Sequence, residues 1–237
     1  DQIDEACCTW GFFYIKGHPI AESRIEELLA AGQSFFKLPL EEKLKIDITK
    51  SVSHTGYGAI AAEQLDPSQP GDHKETFDMS FHLPADHPDV VAGKPLRGPN
   101  RHPDLPGWQE LWEQHYQDMH DLGLTLLKAI AIALGTDEDF FAKRFAEPIS
   151  ALRMIHYPPR EGAANASKGA GEHTDYGLLT ILYQDRIGGL AVHTPQGWVD
   201  APPLPGTFVC NIGDMLDRMT GGLYKSTPHR VKRNTSG

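Results

Sequence analysis

The chain has 237 residues, enough for one domain, or one core with a helical annex, that buries a real hydrophobic centre. Hydrophobic residues make up 40% and charged residues 23%, the balance of a soluble globular protein rather than a disordered one. The formal net charge of −10, with no dense Lys/Arg cluster, speaks against nucleic acid and anionic membrane as partners; a small anionic ligand would need a local cation.

No apolar run approaches the roughly 18 residues of a bilayer span, and no N-terminal stretch has the layout of a signal peptide. The chain opens inside a helical pattern, DQIDEACC, which leaves an earlier start open. Cys7, Cys8 and Cys210 are odd in number and match no zinc spacing, so they read as buried small hydrophobes in a reducing cytoplasm. A small-molecule substrate is the expected partner, with the chain a monomer or a weak homo-oligomer.

In chain order, WGFFYIKGH (10–18) is aromatic and β-branched and reads as a buried strand. In ESRIEELLAAGQSFFKL (22–38), Ile25, Leu28, Leu29, Phe35 and Phe36 recur near helical spacing and Pro39 closes the run. The stretch 51–100 is rich in Gly, Pro, His and Asp and reads as loops with short strands, the best being ETFDMSFHL. The clearest helix spans 108–134: Trp108, Leu111, Trp112, His115, Met119, Leu122, Leu126, Ile130 and Ala133 form one stripe, and Gly135 supplies the stop. Thr136 is placed to cap a short helix, DEDFFAKRF. After Pro148 the pattern changes to period two: SALRMIHY, LLTILYQ, GLAVHT, WVDA, TFVCNIG and PHRV follow at short intervals between Gly/Pro turns. That density suggests a sandwich or small barrel of the jelly-roll type. The expected organisation is one structural unit: a mixed α/β region over 1–147, packed on a β core over 148–237 that carries the chemistry.

His-x-Asp occurs three times, as His87-Pro88-Asp89, His102-Pro103-Asp104 and His173-Thr174-Asp175. A His and a carboxylate two apart on a strand share a face and can reach one ion. A second His from another strand would complete a 2-His-1-carboxylate triad and leave three cis positions open on an octahedral iron(II). Proline inside the first two pairs removes a ladder donor, so these read as surface loops. The third heads the apolar run of GEHTDYGLLTIL, after the glycine-rich KGAGE. Two histidines follow it: His193 in GGLAVHTPQGWV, and His229, which heads the short β run HRV. Singly, each reads as a satisfied polar residue; together His173, Asp175 and His229 read as an iron triad.

The segments GEHTDYGLLTILYQD, GGLAVHTPQGWVDAPPLPGTFVCNIGDMLDRMTGG and YKSTPHRV, with WGFFYIKGH and LRMIHYPP, resemble the isopenicillin N synthase-like family of iron(II)/2-oxoglutarate-dependent dioxygenases over nearly the whole chain. The resemblance implies a mainly β fold with α, a distorted double-stranded β-helix (jelly roll) with an N-terminal helical region and one long bracing helix. It implies that His173, Asp175 and His229 ligate Fe(II), and that 2-oxoglutarate chelates the iron and gives succinate and CO2 as O2 oxidises, most simply hydroxylates, a small molecule. The cosubstrate's distal carboxylate would be held by an Arg-x-Ser about ten residues beyond His229, past Gly237; Arg233 and Ser236 do not have that spacing. Tyr157 matches a tyrosine directed at the cosubstrate or substrate carboxylate. Arg153, four residues earlier on the same strand, could neutralise an anion near iron, or form a surface ion pair. Asn211 reads as a structural residue bonding backbone near a turn. Tyr176 and the Glu75-Thr76-Phe77 run resemble substrate-facing positions, where Glu75 would favour a cationic or amino-bearing substrate. Alternatives are an oxidase of the same fold that uses no 2-oxoglutarate, an ethylene-forming type of activity, a zinc hydrolase on the same three ligands, and a catalytically silent binding module.

Overall fold

The computed structural model describes residues 2–63, 71–159, 169–232 and 234. Arg233 and Ser236, considered above as a cosubstrate anchor, lie outside the described residues. The chain begins with helix α1 (Gln2–Thr9) and strand β1 (Phe12–Lys16), followed by α2 (Glu22–Phe36) and the one-turn α3 (Leu40–Lys43). Strands β2 (Gly56–Gly58) and β3 (Glu75–Ser80), the short helix α4 (Pro88–Val91) and the long helix α5 (Trp108–Ala133) complete the first half. The second half holds β4 (Ala151–His156), β5 (Ala170–His173), β6 (Leu179–Leu182), β7 (Leu190–Thr194), β8 (Gly197–Asp200), β9 (Thr207–Ile212), helix α6 (Asp214–Met219) and β10 (His229–Val231).

Among the described residues ten strands form three antiparallel sheets, ordered β1-β9-β6, β5-β10-β7-β8 and β2-β3-β4. They do not close into a barrel: among the described residues β4 pairs only with β3, and β6 only with β9. The N-terminal region is woven into this core. Phe12–Lys16 pairs with Thr207–Asn211, and β3 with β4, so strands from both halves share two of the sheets. Among the described residues no helix is long and apolar enough to cross a membrane. The cysteines are free, with Cys7 and Cys210 fully buried as expected and Cys8 half-buried.

Alternation along β3 and β4 decides what each face does. Glu75↔His156, Phe77↔Met154 and Met79↔Leu152 share one face, and Thr76↔Ile155 and Asp78↔Arg153 share the other. The first face packs on α2 and α5. Phe77 is fully buried among Phe35, Trp108 and Trp112, with ring centroids 5.0–5.7 Å away in edge-on arrangements. A side chain at Gly32 of α2 would meet the Met154 sulfur, so that glycine lets the helix lie close on β4.

Several expectations are corrected. The first strand is shorter than 10–18 and half-exposed rather than buried; Tyr14 reaches outward to donate to the Pro202 carbonyl at 2.8 Å. The expected helix over DEDFFAKRF is only a 3-10 turn, Ala142–Arg144. There the Asp137 carboxylate accepts the Asp139 N–H at 3.0 Å, as an N-cap does, but the turn it starts does not extend into an α-helix. His87-Pro88-Asp89 is a helix start rather than a loop: His87 Nδ1 accepts from Asp89 N–H and caps α4, with Pro88 in its first turn. His102 is not at the surface, because its ring is packed near Phe77 in the aromatic core.

Glu75 is the charged member of the helix-facing side. Its carboxylate accepts from Lys43 Nζ (2.7 Å) and Tyr57 OH (2.6 Å) on one oxygen and from His156 Nδ1 (2.8 Å) on the other. Burial alone would raise its pKa; the bonds from His156, Lys43 and Tyr57 outweigh burial and pull it down to about 2. A folded-state pKa below the ordinary carboxylate value gives stability that is present above about pH 4.5 and lost as pH falls toward 2. Glu75→Gln, which strands Lys43 as a buried unpaired charge, is expected to cost about 3–5 kcal/mol at pH 7. It should also flatten the pH dependence of urea unfolding between pH 4.5 and 2, and an acid limb unchanged from wild type would contradict this role.

Candidate metal centre

The donor atoms of His173, Asp175 and His229 lie within 4.8 Å of one another. Each residue comes from a different local context. His173 is the last residue of β5 and His229 the first of β10, and the two are direct cross-strand partners with ring centroids 4.3 Å apart. Asp175 lies past the end of β5, in the connection to β6, so the His-x-Asp pair straddles a strand end rather than heading a strand. Its Oδ1 is 3.7 Å from His173 Nε2 and 3.6 Å from His229 Nε2. Donors about 2.1 Å from a shared ion at right angles stand about 3 Å apart, so these separations are close to what one ion requires.

The surrounding bonds leave the inward atoms available. His173 Nδ1 donates to the Gly171 carbonyl at 2.8 Å and His229 Nδ1 to the Thr227 carbonyl at 3.2 Å. A carbonyl only accepts, so both rings carry a proton on Nδ1, and Nε2 is the atom of each that faces Asp175 and can ligate. Asp175 Oδ2 accepts from Thr180 Oγ1 (2.6 Å, β6) and Asn211 Nδ2 (2.9 Å, β9), which leaves Oδ1 facing the imidazoles. Burial works against the Asp175 anion, but the bonds from Asn211 and Thr180 and the two imidazoles hold its pKa below the ordinary carboxylate value. Burial holds His229 below the usual imidazole value and so favours its neutral, ligating form. Phe12 of β1 packs edge-on against the His229 ring at 5.3 Å.

Asp214 ties the ligand-bearing segments together. Its backbone N–H donates to the Asp175 carbonyl (2.7 Å), its Oδ2 accepts from Thr174 (3.2 Å), and its Oδ1 accepts from Ser226 (2.6 Å), three residues before His229. Gly213 permits the approach, because a Cβ there would fall 2.3 Å from the Gly177 carbonyl oxygen and 2.7 Å from that of Asp175. A second cluster, His87, Asp89 and Glu147, is of another kind. Lys94 Nζ sits 2.7 Å from the Asp89 carboxylate and Glu147 is exposed, so a surface ammonium already answers that acid.

The other expected site residues separate into two groups. Tyr157 follows β4 directly and its hydroxyl pKa is raised, chiefly by burial and then by nearby Asp72. A side chain at Gly169, next to β5, would meet its ring. Arg153 is on the same face of β4 but is already paired, with Asp78 at 2.5 Å and Glu63 at 3.0 Å; its charge is balanced internally rather than presented to a ligand anion. Tyr176, next to Asp175, is 84% exposed. Glu75 and Phe77 are corrected: both lie on the opposite, helix-packed face of β3, Phe77 in the aromatic core and Glu75 enclosed by Lys43, Tyr57 and His156. Asn211 is also corrected, since its amide holds the Asp175 carboxylate rather than backbone. Thr180, Asp214 and Gly213 were not singled out from sequence; the run NIGD, where β9 gives way to α6, was the signal that could have found the last two.

Removing the bonds to Asp175 Oδ2 should free that carboxylate to turn. Asn211→Ala and Thr180→Val are each expected to weaken anaerobic Fe(II) binding about 10–100-fold in an equilibrium titration while leaving the thermal melt of the metal-free protein within a few degrees of wild type. Wild-type affinity in both variants would show that these bonds do not matter to the site.

Comparison with known proteins agrees with this geometry. Residues 1–105 match the family described as non-haem dioxygenase in morphine synthesis N-terminal, and residues 148–237 match the 2OG-Fe(II) oxygenase superfamily. A probable iron/ascorbate oxidoreductase of Dictyostelium discoideum is 41% identical, the alignment covering 100% of this chain and 71% of the relative. A homoarginine-6-hydroxylase of Glycine max is 40% identical, covering 99% and 73%. A crystal structure of a full-length Neurospora crassa protein in complex with alpha-KG superposes with a TM-score of 0.85 at 32% identity, covering 100% of this chain and 73% of that one. The jelly-roll type of core and the use of iron and 2-oxoglutarate follow with the kinship: this chain belongs to the 2OG-Fe(II) oxygenase superfamily.

Proposed function

We propose that this protein hydroxylates a small molecule, with His173, Asp175 and His229 as its iron ligands. The observation that carries the reading is the convergence of two imidazole Nε2 atoms and one free carboxylate oxygen on one point, each fixed from behind by a hydrogen bond. Iron(II) with 2-oxoglutarate, when bound, supplies the oxygen-activating and oxidising chemistry. The chain's own contribution is placement. Three ligands on one side leave the opposite positions for cosubstrate and dioxygen. Tyr157 is our proposal for a hydroxyl directed at the cosubstrate. Arg153 is proposed to act there only indirectly, by holding Asp78 and Glu63. Tyr176, exposed beside the Asp175 ligand, is proposed to meet the substrate at the mouth of the site.

For the substrate, amino acids and guanidino compounds come first. The Glycine max relative is a homoarginine-6-hydroxylase, and an acidic chain favours approach of cations over anions. The Neurospora protein was also crystallised with thymine, so nucleobases form the second arm of a screen. Three free cysteines fit a reducing, cytoplasmic setting.

Anaerobic addition of Fe(II) and 2-oxoglutarate should produce a weak visible charge-transfer band, and admission of oxygen should release succinate. Asp175→Ala and His229→Ala should abolish both, and Zn(II) in place of Fe(II) should bind without turnover. A wild-type protein that gives neither band nor succinate would rule out the 2-oxoglutarate reading.

A further inference from the structure

The ladder between β5 and β10 is irregular next to the metal ligand. Ala170 is paired with Val231 and His173 with His229, so β5 carries one residue more than β10 between the two registered pairs. Such a bulge turns the following side chain and takes backbone groups out of the ladder. Gly171 lies within it. Its N–H donates to the Asp72 carboxylate (Oδ1, 3.2 Å), and its carbonyl accepts from His173 Nδ1 (2.8 Å). The carboxylate that fills the bulge on one side is therefore one residue removed from the imidazole that fills it on the other.

We propose that Asp72 is a positioning residue for the metal centre: it holds the Gly171 bulge that aims and orients His173. The proposal rests on His173 being a ligand as argued above. Asp72 is 5% exposed, and its second oxygen lies 3.3 Å from Lys74 Nζ, an ion pair too poorly aligned to be a hydrogen bond. Lys74 is paired with Glu63 at 3.0 Å, Glu63 with Arg153 at 3.0 Å, and Arg153 with Asp78 at 2.5 Å. This relay of five charges runs from the β3–β4 pair to the metal strand and fixes Asp72 in place. Its dense pairing gives Arg153 a role that free solvent charge would not fill.

The test compares Asp72→Ala, which removes the acceptor, with Asp72→Asn, which keeps an oxygen for the Gly171 N–H but removes the charge. Fe(II) alone is titrated anaerobically, and Co(II) is used separately because its visible d–d bands report ligand geometry. Asp72→Ala is expected to weaken Fe(II) binding about tenfold or more and to shift the Co(II) bands, while Asp72→Asn returns affinity to within about threefold of wild type. Where Asp72→Ala does not fold, the double variant Asp72→Leu/Lys74→Met, with both partners of the ion pair made apolar, takes its place. Wild-type affinity and Co(II) spectrum without the carboxylate would overturn the inference, as would equal losses in the Ala and Asn variants. Failure of the wild-type protein to bind Fe(II) would instead overturn the assignment of the ligands, and this inference with it.

Discussion

Antiparallel pairing of His173 with His229 is the constraint on which the rest of the site depends. A strand end and a strand start, far apart in sequence, become opposite residues of one ladder, and their rings come within 4.3 Å. Cross-strand neighbours are the natural unit of a sheet, so backbone pairing alone places two of the three proposed ligands side by side. The third is brought in by the other sheet. Asp175 lies beyond the pairing, and its carboxylate is turned toward the imidazoles by Thr180 of β6 and Asn211 of β9. The centre is thus a junction between the β5-β10-β7-β8 and β1-β9-β6 sheets. The N-terminal strand takes part too: β1 braces β9 along five residue pairs and lays Phe12 against His229.

Charge follows the same logic. A divalent ion held by two imidazoles and one carboxylate would be only half neutralised. An anionic keto acid would then find at the metal the attraction that a chain of net charge −10 denies it at long range. This accounts for the absence of a need for Arg153 as a free counter-charge. Its guanidinium is committed to Asp78 and Glu63, where it offsets the cost of burying the Asp78 carboxylate.

The clustering of His173, Asp175 and His229, the proposed ligands, was legible in sequence because ligand chemistry demands particular residue types, and because proline set the other two His-x-Asp pairs apart. The long helix was legible because a 26-residue stripe leaves little room for another reading. What sequence did not reveal depends on which face of a strand is covered. Glu75 and Phe77 sit on a strand whose sides differ only in what packs on them; α2 and α5 cover the side they occupy, and no local pattern announces that. Asn211 and Asp72 act through single hydrogen bonds to groups distant in sequence, and a lone Asn or Asp before folding has the same appearance as a turn residue. The short helix expected after α5 is reduced to a 3-10 turn, although Asp137 makes the capping bond that a helix start needs.

The most direct test of the account is a crystal structure of the protein grown anaerobically with Fe(II), with anomalous data collected at the iron edge. The account predicts one strong peak about 2.1 Å from His173 Nε2, Asp175 Oδ1 and His229 Nε2, with no fourth protein ligand. A peak at the His87–Asp89–Glu147 cluster instead, or an ion at the triad enclosed by a fourth side chain, would contradict it.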